Sequence, residues 1–364
     1  MKILIISDAW LPQINGVVRT LETTAAELAR LGHELRIVGP DEARAWTLAT
    51  PFYPEVKLEF FAYRRLARIQ RDFAPDFIHI ATEGPLGWAA RRLCLHRTLP
   101  FTTAYHTRFP EYLAARAPRF LGRILRLGAY AILRRFHAPA GAVMVATASI
   151  EQELRGRKFR RIVRWSRGVD ATLFRPYGKD LPAFAGLPRP ILLSVGRVAV
   201  EKNLRAFLDL PTPGSRVVVG DGPDLAALKR DYPDAHFLGA LEGETLARHY
   251  AAADLFVFPS TTDTFGLVLL EASAAGLRIA ATPAPGPSDI FADEAAAAFV
   301  ALDRDLGRAI ARALGLPDDV AAPRSFAQRF SWEACTQAFF AHLQAPTPKA
   351  VRRLARWRER FARG

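Results

Sequence analysis

Cysteine is all but missing from this chain: Cys94 and Cys335 are the only two among 364 residues, too few for a disulfide framework or a structural zinc site. Also missing is any uninterrupted apolar run of about 18 residues, so no spanning helix is expected. The opening residues, MKILIISDAW, lack the basic start of a leader and run straight into a strand-like pattern. No signal peptide is therefore expected, and the cytoplasm is the expected compartment. There is no internal repeat and no low-complexity tract. Half of the residues are hydrophobic and 24% are charged, which excludes long-range disorder. The length is about twice that of a typical domain, so two domains are expected.

Acidic residues are scarce in one region. Between Gly84 and Ile150, Glu111 stands alone against ten arginines. Residues 1–168 carry 27 Lys+Arg against 14 Asp+Glu, residues 169–344 carry 16 against 21, and the last twenty carry 7 against 1. Such asymmetry points to an anionic surface as partner, membrane or nucleic acid. An arginine-rich composition, 43 of the 50 basic residues, explains the total but not the acidic middle.

The first half alternates strand and helix patterns. Strands are predicted at Lys2–Ser7, Glu34–Val38, Asp76–Ile80, Phe101–Tyr105, Val143–Ala146 and Ile162–Trp165, all short apolar runs of the kind a buried parallel sheet shows. Helices are predicted over Val17–Leu31, Gly87–Leu95 and Pro118–His137. Residues 170–190 hold Pro176, Gly178, Pro182, Gly186, Pro188 and Pro190, a turn-rich linker. The alternation then restarts with Ile191–Val195 and continues through Leu255–Phe258, Leu267–Ala275 and Arg278–Ala281. The predicted fold class is α/β, two doubly wound domains at 1–168 and 169–345. Ligands of such sheets sit beyond the carboxyl ends of the strands, and in a two-domain version they are expected between the domains.

Four segments lie at predicted strand ends. In Asp8–Thr20, Asn15-Gly16 precedes a helix whose backbone N–H groups suit a phosphate, though an ordinary β-to-α turn reads the same way. Arg197 and Lys202 follow the strand ILLSV and place two cations where a diphosphate would lie; surface pairing with Glu201 is the alternative. In Pro259–Gly276, Asp263 precedes a helix starting near Gly266 that carries Glu271 on an otherwise apolar sequence. A carboxylate there needs a partner, and sugar or ribose hydroxyls supply one. The N–H groups of Thr264 to Leu267 suit a phosphate, while a helix-capping aspartate and a core-edge glutamate are the alternative. The fourth is Thr103–Tyr112, with His106 at the end of a strand, where a lone histidine is more often structural.

In order and spacing these segments resemble the retaining nucleotide-sugar glycosyltransferases of family 4, which have the GT-B fold of two Rossmann-like domains facing across a cleft. The resemblance runs through Asn15-Gly16, HIATEGPLG (79–87), AYHT (104–107), SRGVD (166–170) with Phe174-Arg175-Pro176, GRVAVEKN (196–203), VVGDGP (218–223), Phe237-Leu238-Gly239 and the Asp263–Glu271 segment. It is nearest the branch that makes glycolipids, such as sulfoquinovosyl-, mannosyl- and glucosyl-lipid synthases. The resemblance implies that Arg197 and Lys202 bind the donor diphosphate, with Gly16 approaching it from the first domain. It implies that Glu271 holds the ribose hydroxyls, that Asp263 and the backbone of Phe265, Gly266 and Leu267 face the donor sugar, and that His106 lines the acceptor side. The family's carboxylate pair is usually Glu-x7-Glu; Asp263 departs from it by one methylene. The implied activity is retaining, metal-independent hexosyl transfer without a protein nucleophile, a UDP-sugar being favoured as donor over GDP-mannose. No cofactor is implied.

A lipid acceptor accords with residues 118–137. Arg119, Arg123, Arg126 and Arg134 cluster on a helical wheel, and Phe120, Leu121, Ile124, Leu125, Leu127 and Ile132 fill another arc. Such a helix suits an anionic membrane interface, so peripheral association with the inner face of the cell membrane is expected. A surface helix packed on its own domain is the alternative. The basic tail Lys349–Arg363 is a second candidate contact, and the helix 346–364 is expected to return to the first domain. A soluble sugar or polysaccharide acceptor, or nucleotide-sugar epimerisation or hydrolysis, are the rival activities. A nucleic-acid partner is not expected, since no recognised module for one is present.

Overall fold

In a computed structural model the described residues are 1–13, 15–41, 47–49, 57–115 and 118–344. The side chain of Arg119 and the basic segment 345–364, with the helix expected there, lie outside them. The chain divides into two compact units, Met1–Ser166 with the segment that begins at Cys335, and Arg167–Ala334.

The first unit runs β1 (Lys2–Ile6), α1 (Gly16–Arg30), β2 (Glu34–Val38), β3 (Thr47–Ala49), β4 (Lys57–Glu59), α2 (Tyr63–Phe73), β5 (Phe77–Ile80), α3 (Pro85–Arg97), β6 (Thr102–Tyr105), α4 (Phe109–Ala115), α5 (Arg119–His137), β7 (Val143–Val145), α6 (Ala148–Gly156) and β8 (Ile162–Arg164). Its main sheet has the order β2-β1-β5-β6-β7-β8, and each adjacent pair is parallel. The apolar runs that suggested buried strands are buried: Ile3, Leu4, Ile5, Ile6, Ile78 and Ile80 lie in the core. The helix α2 was not legible in the sequence. Its arginines mask an apolar face of three residues, Leu66, Ala67 and Phe73, which alone are buried.

The second unit runs β9 (Ile191–Val195), α7 (Leu204–Leu208), β10 (Ser215–Val219), α8 (Leu225–Asp231), β11 (His236–Phe237), α9 (Gly243–Ala252), β12 (Leu255–Phe258), α10 (Leu267–Ala274), β13 (Arg278–Ala281), α11 (Pro285–Ile290), β14 (Val300–Leu302), α12 (Leu306–Leu314), α13 (Ala321–Ala327) and α14 (Trp332–Leu343), whose last turns belong to the first unit. Its sheet order is β11-β10-β9-β12-β13-β14, again parallel throughout. In each unit the chain order reverses beside the first strand: between β1 and β5, and between β9 and β12. At such a reversal the loops leaving the two strands part, and a crevice opens at their carboxyl ends.

The chain re-enters the first unit earlier than the sequence indicates, by Cys335 rather than at residue 346. The reason is aromatic packing. Phe339 stacks 4.7 Å from Trp165 and 5.0 Å from His79, and Phe340 lies 4.4 Å from His33. The Cys335 thiol donates to the carbonyl of Ser166 at 3.1 Å. The first unit ends at Ser166, two residues before the expected 168, and Gly168 lies against the backbone of Ser331 and Trp332 within the second unit.

Candidate functional site

The crevice of the second unit gathers the expected charged residues. The strand β9 ends at Val195, and Gly196-Arg197 follows. A single 3-10 turn, Val200–Lys202, then carries Lys202. From the other side of the reversal, β12 ends at Phe258 and leads into Pro259–Gly266. The two loops are tied together: Asn203 Nδ2 donates to the carbonyl of Pro259 at 3.2 Å, and the hydroxyls of Ser260 and Thr262 each donate to the carbonyl of Glu201 at 3.3 Å. Across this tie Lys202 Nζ reaches Asp263 Oδ1 at 2.6 Å. The second oxygen, Asp263 Oδ2, is buried and has no hydrogen-bond partner among the described residues. A carboxylate oxygen so placed is costly unless a donor reaches it.

The segment after Asp263 opens α10. Its cap residue, Gly266, sits at φ +92°, a conformation that favours glycine, and having no side chain it offers no acceptor of its own to the N–H groups of the first turn. The preceding Phe265 is buried, and its carbonyl lies where a Cβ on Gly286 would stand, 2.1 Å away. One turn further, Glu271 is 6% exposed. Tyr250, on α9, donates its hydroxyl to Glu271 Oε2 at 2.8 Å. Part of the partner demand assigned from the sequence to ribose is thus met by the protein. Tyr250 was missed in the sequence, where it stands inconspicuously in the alanine-rich run HYAAAD.

In the first unit the corresponding crevice is filled by the chain's own carboxylate. Asp8 Oδ1 accepts from Leu86 N–H at 2.9 Å, and Oδ2 accepts from Gly87 N–H at 3.1 Å and from the Thr82 hydroxyl at 2.8 Å. Asp8 therefore caps α3 from the opposite side of the reversal. Burial drives its pKa above the ordinary carboxylate value, against those hydrogen bonds. Its carbonyl accepts from Gln13 Nε2 at 3.2 Å, and Gln13 Oε1 accepts from Asn15 Nδ2 at 3.3 Å. Asn15 Oδ1 in turn accepts the N–H groups of Val17 and Val18 at 2.9 and 3.0 Å. Two of the N–H groups that the sequence offered to a phosphate at this helix are consequently taken by the Asn15 cap. Gly16 is the first residue of α1 rather than the residue before it. His106 follows β6, is 9% exposed and packs edge-on against Trp165 at 5.7 Å.

The structure thus brings Lys202 to Asp263 and puts Arg197, Phe265, Gly266, Leu267 and Glu271 on the loops and helix beside them, in one unit. Gly16 and His106 are in the other unit. Elsewhere in the second unit Asp303 and Asp305 serve helix capping and pairing: Asp305 Oδ1 accepts Arg308 N–H at 3.1 Å, and Asp303 lies 3.4 Å from Arg308 and 3.8 Å from Arg312.

Of the expected membrane helix, α5, the structure shows two apolar faces. One packs inward through Ala129, Tyr130, Leu133 and Phe136. The other is open: Leu121, Ile124, Leu127 and Ile132 are 38%, 65%, 56% and 58% exposed, and their spacing puts them on one side of the helix. Arg123 and Arg134 are exposed beside them, Arg126 is half-buried, and Arg134 Nη1 lies 3.4 Å from the carbonyl of Arg157. Among the described residues no helix is long and apolar enough to cross a membrane.

Comparison with known proteins agrees with the fold. The profile of Glycosyltransferase Family 4 matches residues 14–173, and that of Glycosyl transferases group 1 matches residues 189–315. A GDP-mannose-dependent alpha-mannosyltransferase of Mycolicibacterium smegmatis is 30% identical over 312 residues, 80% of this chain and 82% of that protein. An alpha-monoglucosyldiacylglycerol synthase of Streptococcus pneumoniae is 28% identical over 355 residues, 86% of this chain and 78% of that protein. Among solved structures, a sucrose-phosphate synthase of Thermosynechococcus elongatus superposes with a TM-score of 0.72 at 19% identity, covering all of both chains.

Proposed function

From the premise that this chain belongs to glycosyltransferase family 4 and has its GT-B fold, we propose that it is a retaining, metal-independent hexosyltransferase. Its donor is a nucleoside diphosphate sugar and its acceptor a membrane lipid. The observation that carries the reading is the Lys202–Asp263 contact across the crevice of the second unit, with Asp263 Oδ2 buried beside it and without a donor among the described residues. A diphosphate sugar suits this arrangement, since its phosphate adds an anion within reach of Lys202 and its sugar offers a hydroxyl to Asp263 Oδ2.

Departure of the nucleoside diphosphate builds negative charge on the leaving oxygen. Fixed cations and N–H dipoles stabilise that charge most in the transition state. Arg197, Lys202 and the open N-terminus of α10 supply them. Glu271 holds the ribose, and the backbone of Phe265, Gly266 and Leu267 lies along the sugar. The acceptor oxygen forms its bond to the anomeric carbon on the face from which the diphosphate leaves, and the acceptor proton passes to the departing phosphate. For Gly16 and His106, which belong to the first unit, the family resemblance implies roles toward the diphosphate and the acceptor. The lipid acceptor is supported by the open apolar face of α5 and by the diacylglycerol product for which the Streptococcus pneumoniae relative is named. UDP-hexoses, favoured from the family resemblance, and GDP-mannose, for which the Mycolicibacterium relative is named, are the donors to set against each other.

The test is transfer of labelled hexose from UDP-glucose, UDP-galactose and GDP-mannose to diacylglycerol and phosphatidylinositol vesicles, with excess EDTA present. A labelled lipid with the donor's anomeric configuration is the expected product. Transfer only to soluble saccharides, an inverted product, or a strict need for Mg²⁺ or Mn²⁺ each removes the corresponding part of the proposal.

A further inference from the structure

The tyrosine behind Glu271 has a hydroxyl that its packing does not need. Its ring is fully buried, held edge-on by Phe174 at 5.7 Å and 83° and tilted against Phe256 at 5.6 Å and 44°. A phenylalanine would fill this place equally well. A phenol buried so deeply costs free energy unless its O–H is bonded, and the bond it makes is to Glu271 Oε2 at 2.8 Å. Because a carboxylate only accepts, the phenol must be the donor. The acceptor is a long side chain with several rotatable bonds, and fixing one of its oxygens fixes the plane of the carboxylate. Both ends of the bond rest on rigid elements, α9 and α10, rather than on loops.

We infer that Tyr250 is a positioning residue for nucleotide recognition. Its hydroxyl pins Glu271 Oε2 and thereby aims the carboxylate at the vicinal 2′ and 3′ hydroxyls of the donor's ribose. The inference rests on the ribose role proposed for Glu271 above. A carboxylate held in advance loses less rotamer freedom when the diol binds, which is how a supporting hydrogen bond sharpens affinity without touching the ligand.

The experiment is calorimetric titration of the full chain with UDP and GDP, then with the 2′,3′-dideoxy form of the tighter binder. It compares wild type, Glu271→Gln, Tyr250→Phe and the double variant. Wild type should prefer the ribose form, and Glu271→Gln should abolish the preference. Tyr250→Phe should reduce that preference by roughly three- to tenfold and leave affinity for the dideoxy form as in wild type. The double variant should match Glu271→Gln alone. Equal affinity of wild type for ribose and dideoxyribose forms removes the ribose role of Glu271, and the inference with it. A preference lost in Glu271→Gln but intact in Tyr250→Phe overturns the inference and leaves the ribose role standing. Equal weakening of both ligands by Tyr250→Phe shows a merely structural tyrosine, as does a double variant weaker than Glu271→Gln. If Tyr250→Phe does not fold, Tyr250 is a core residue first and the inference is likewise overturned.

Discussion

At the scale of single residues, the second unit keeps opposite charges in contact at a partly exposed place. The Lys202 and Asp263 side chains are 27% and 15% exposed, so water screens the pair only in part and an incoming diphosphate competes for the cation. Replacing Lys202 by Ala withdraws a fixed charge from the leaving group and strands Asp263. Replacing Glu271 by Ala empties the buried place that Tyr250 addresses. Each substitution should lower turnover by roughly a hundredfold, about 3 kcal/mol of transition-state stabilisation, with far-ultraviolet circular dichroism unchanged. Initial rates at saturating donor decide the matter: near-normal turnover in both variants would refute the assignment. Asp263 is also a methylene shorter than the glutamate that the family resemblance leads one to expect there. The lysine contact at 2.6 Å shows that the shorter side chain still spans the crevice.

Elements were legible where a pattern of one period ran long enough. The strands β1, β2, β5, β6, β7, β8, β9, β12 and β13 and the helices α1, α3, α5 and α10 stand within a few residues of their sequence positions, because continuous apolar runs and turn residues mark them, whereas the short edge strand β14 was not predicted. The contacts that build the sites were not legible, since they join residues far apart in the chain: Asp8 to Leu86, Lys202 to Asp263, Tyr250 to Glu271. The knot joining α4, α5 and α6 was invisible for the same reason. Tyr130 donates to Glu153 at 2.7 Å and lies 2.8 Å from Glu111, Arg108 meets Glu153 at 2.9 Å, and the Arg157 guanidinium lies 3.6 Å from the Tyr130 ring centre. Burial alone would raise the Glu153 pKa, but the Tyr130 hydroxyl and the two arginines outweigh it and hold it below the ordinary 4.5. Burial, with those hydrogen bonds, pushes the Tyr130 phenol up. A carboxylate whose pKa falls on folding stabilises above its unfolded value and loses that contribution as pH drops through the folded one. Glu153→Gln should therefore lower Tm at pH 7 by roughly 2–4 °C, about 1 kcal/mol. The difference from wild type should close as the pH is taken below 4.5. A deficit that stays constant down to pH 3 would show that the loss is one of packing rather than charge.

At the scale of the whole molecule, a water-facing protein would not ordinarily leave four large aliphatic side chains together on the outer side of a helix. Scattered apolar residues are normal on a surface, but a contiguous set rimmed by cations marks a contact. On α5 that set is Leu121, Ile124, Leu127 and Ile132, with Arg123 and Arg134 at its border, in the stretch where Glu111 is the sole acid between Gly84 and Ile150. Near an anionic leaflet each well-placed arginine contributes about 1 kcal/mol, and burial of the aliphatic face adds to it. Binding of this kind is reversible and weakens with salt, in contrast to that of a spanning helix. Two variants separate the contributions. Changing Arg119, Arg123 and Arg126 to Glu removes the attraction, and changing Ile124 and Leu127 to Ser removes the apolar face. Both should lose co-sedimentation with phosphatidylglycerol vesicles and lipid glycosylation, while calorimetric donor affinity stays at the wild-type value. Only the wild type's binding should fall steeply between 50 and 500 mM salt, since the arginine variant has little left to screen. Should wild type ignore anionic vesicles at low salt, α5 is not a membrane contact, and a soluble saccharide becomes the acceptor to pursue.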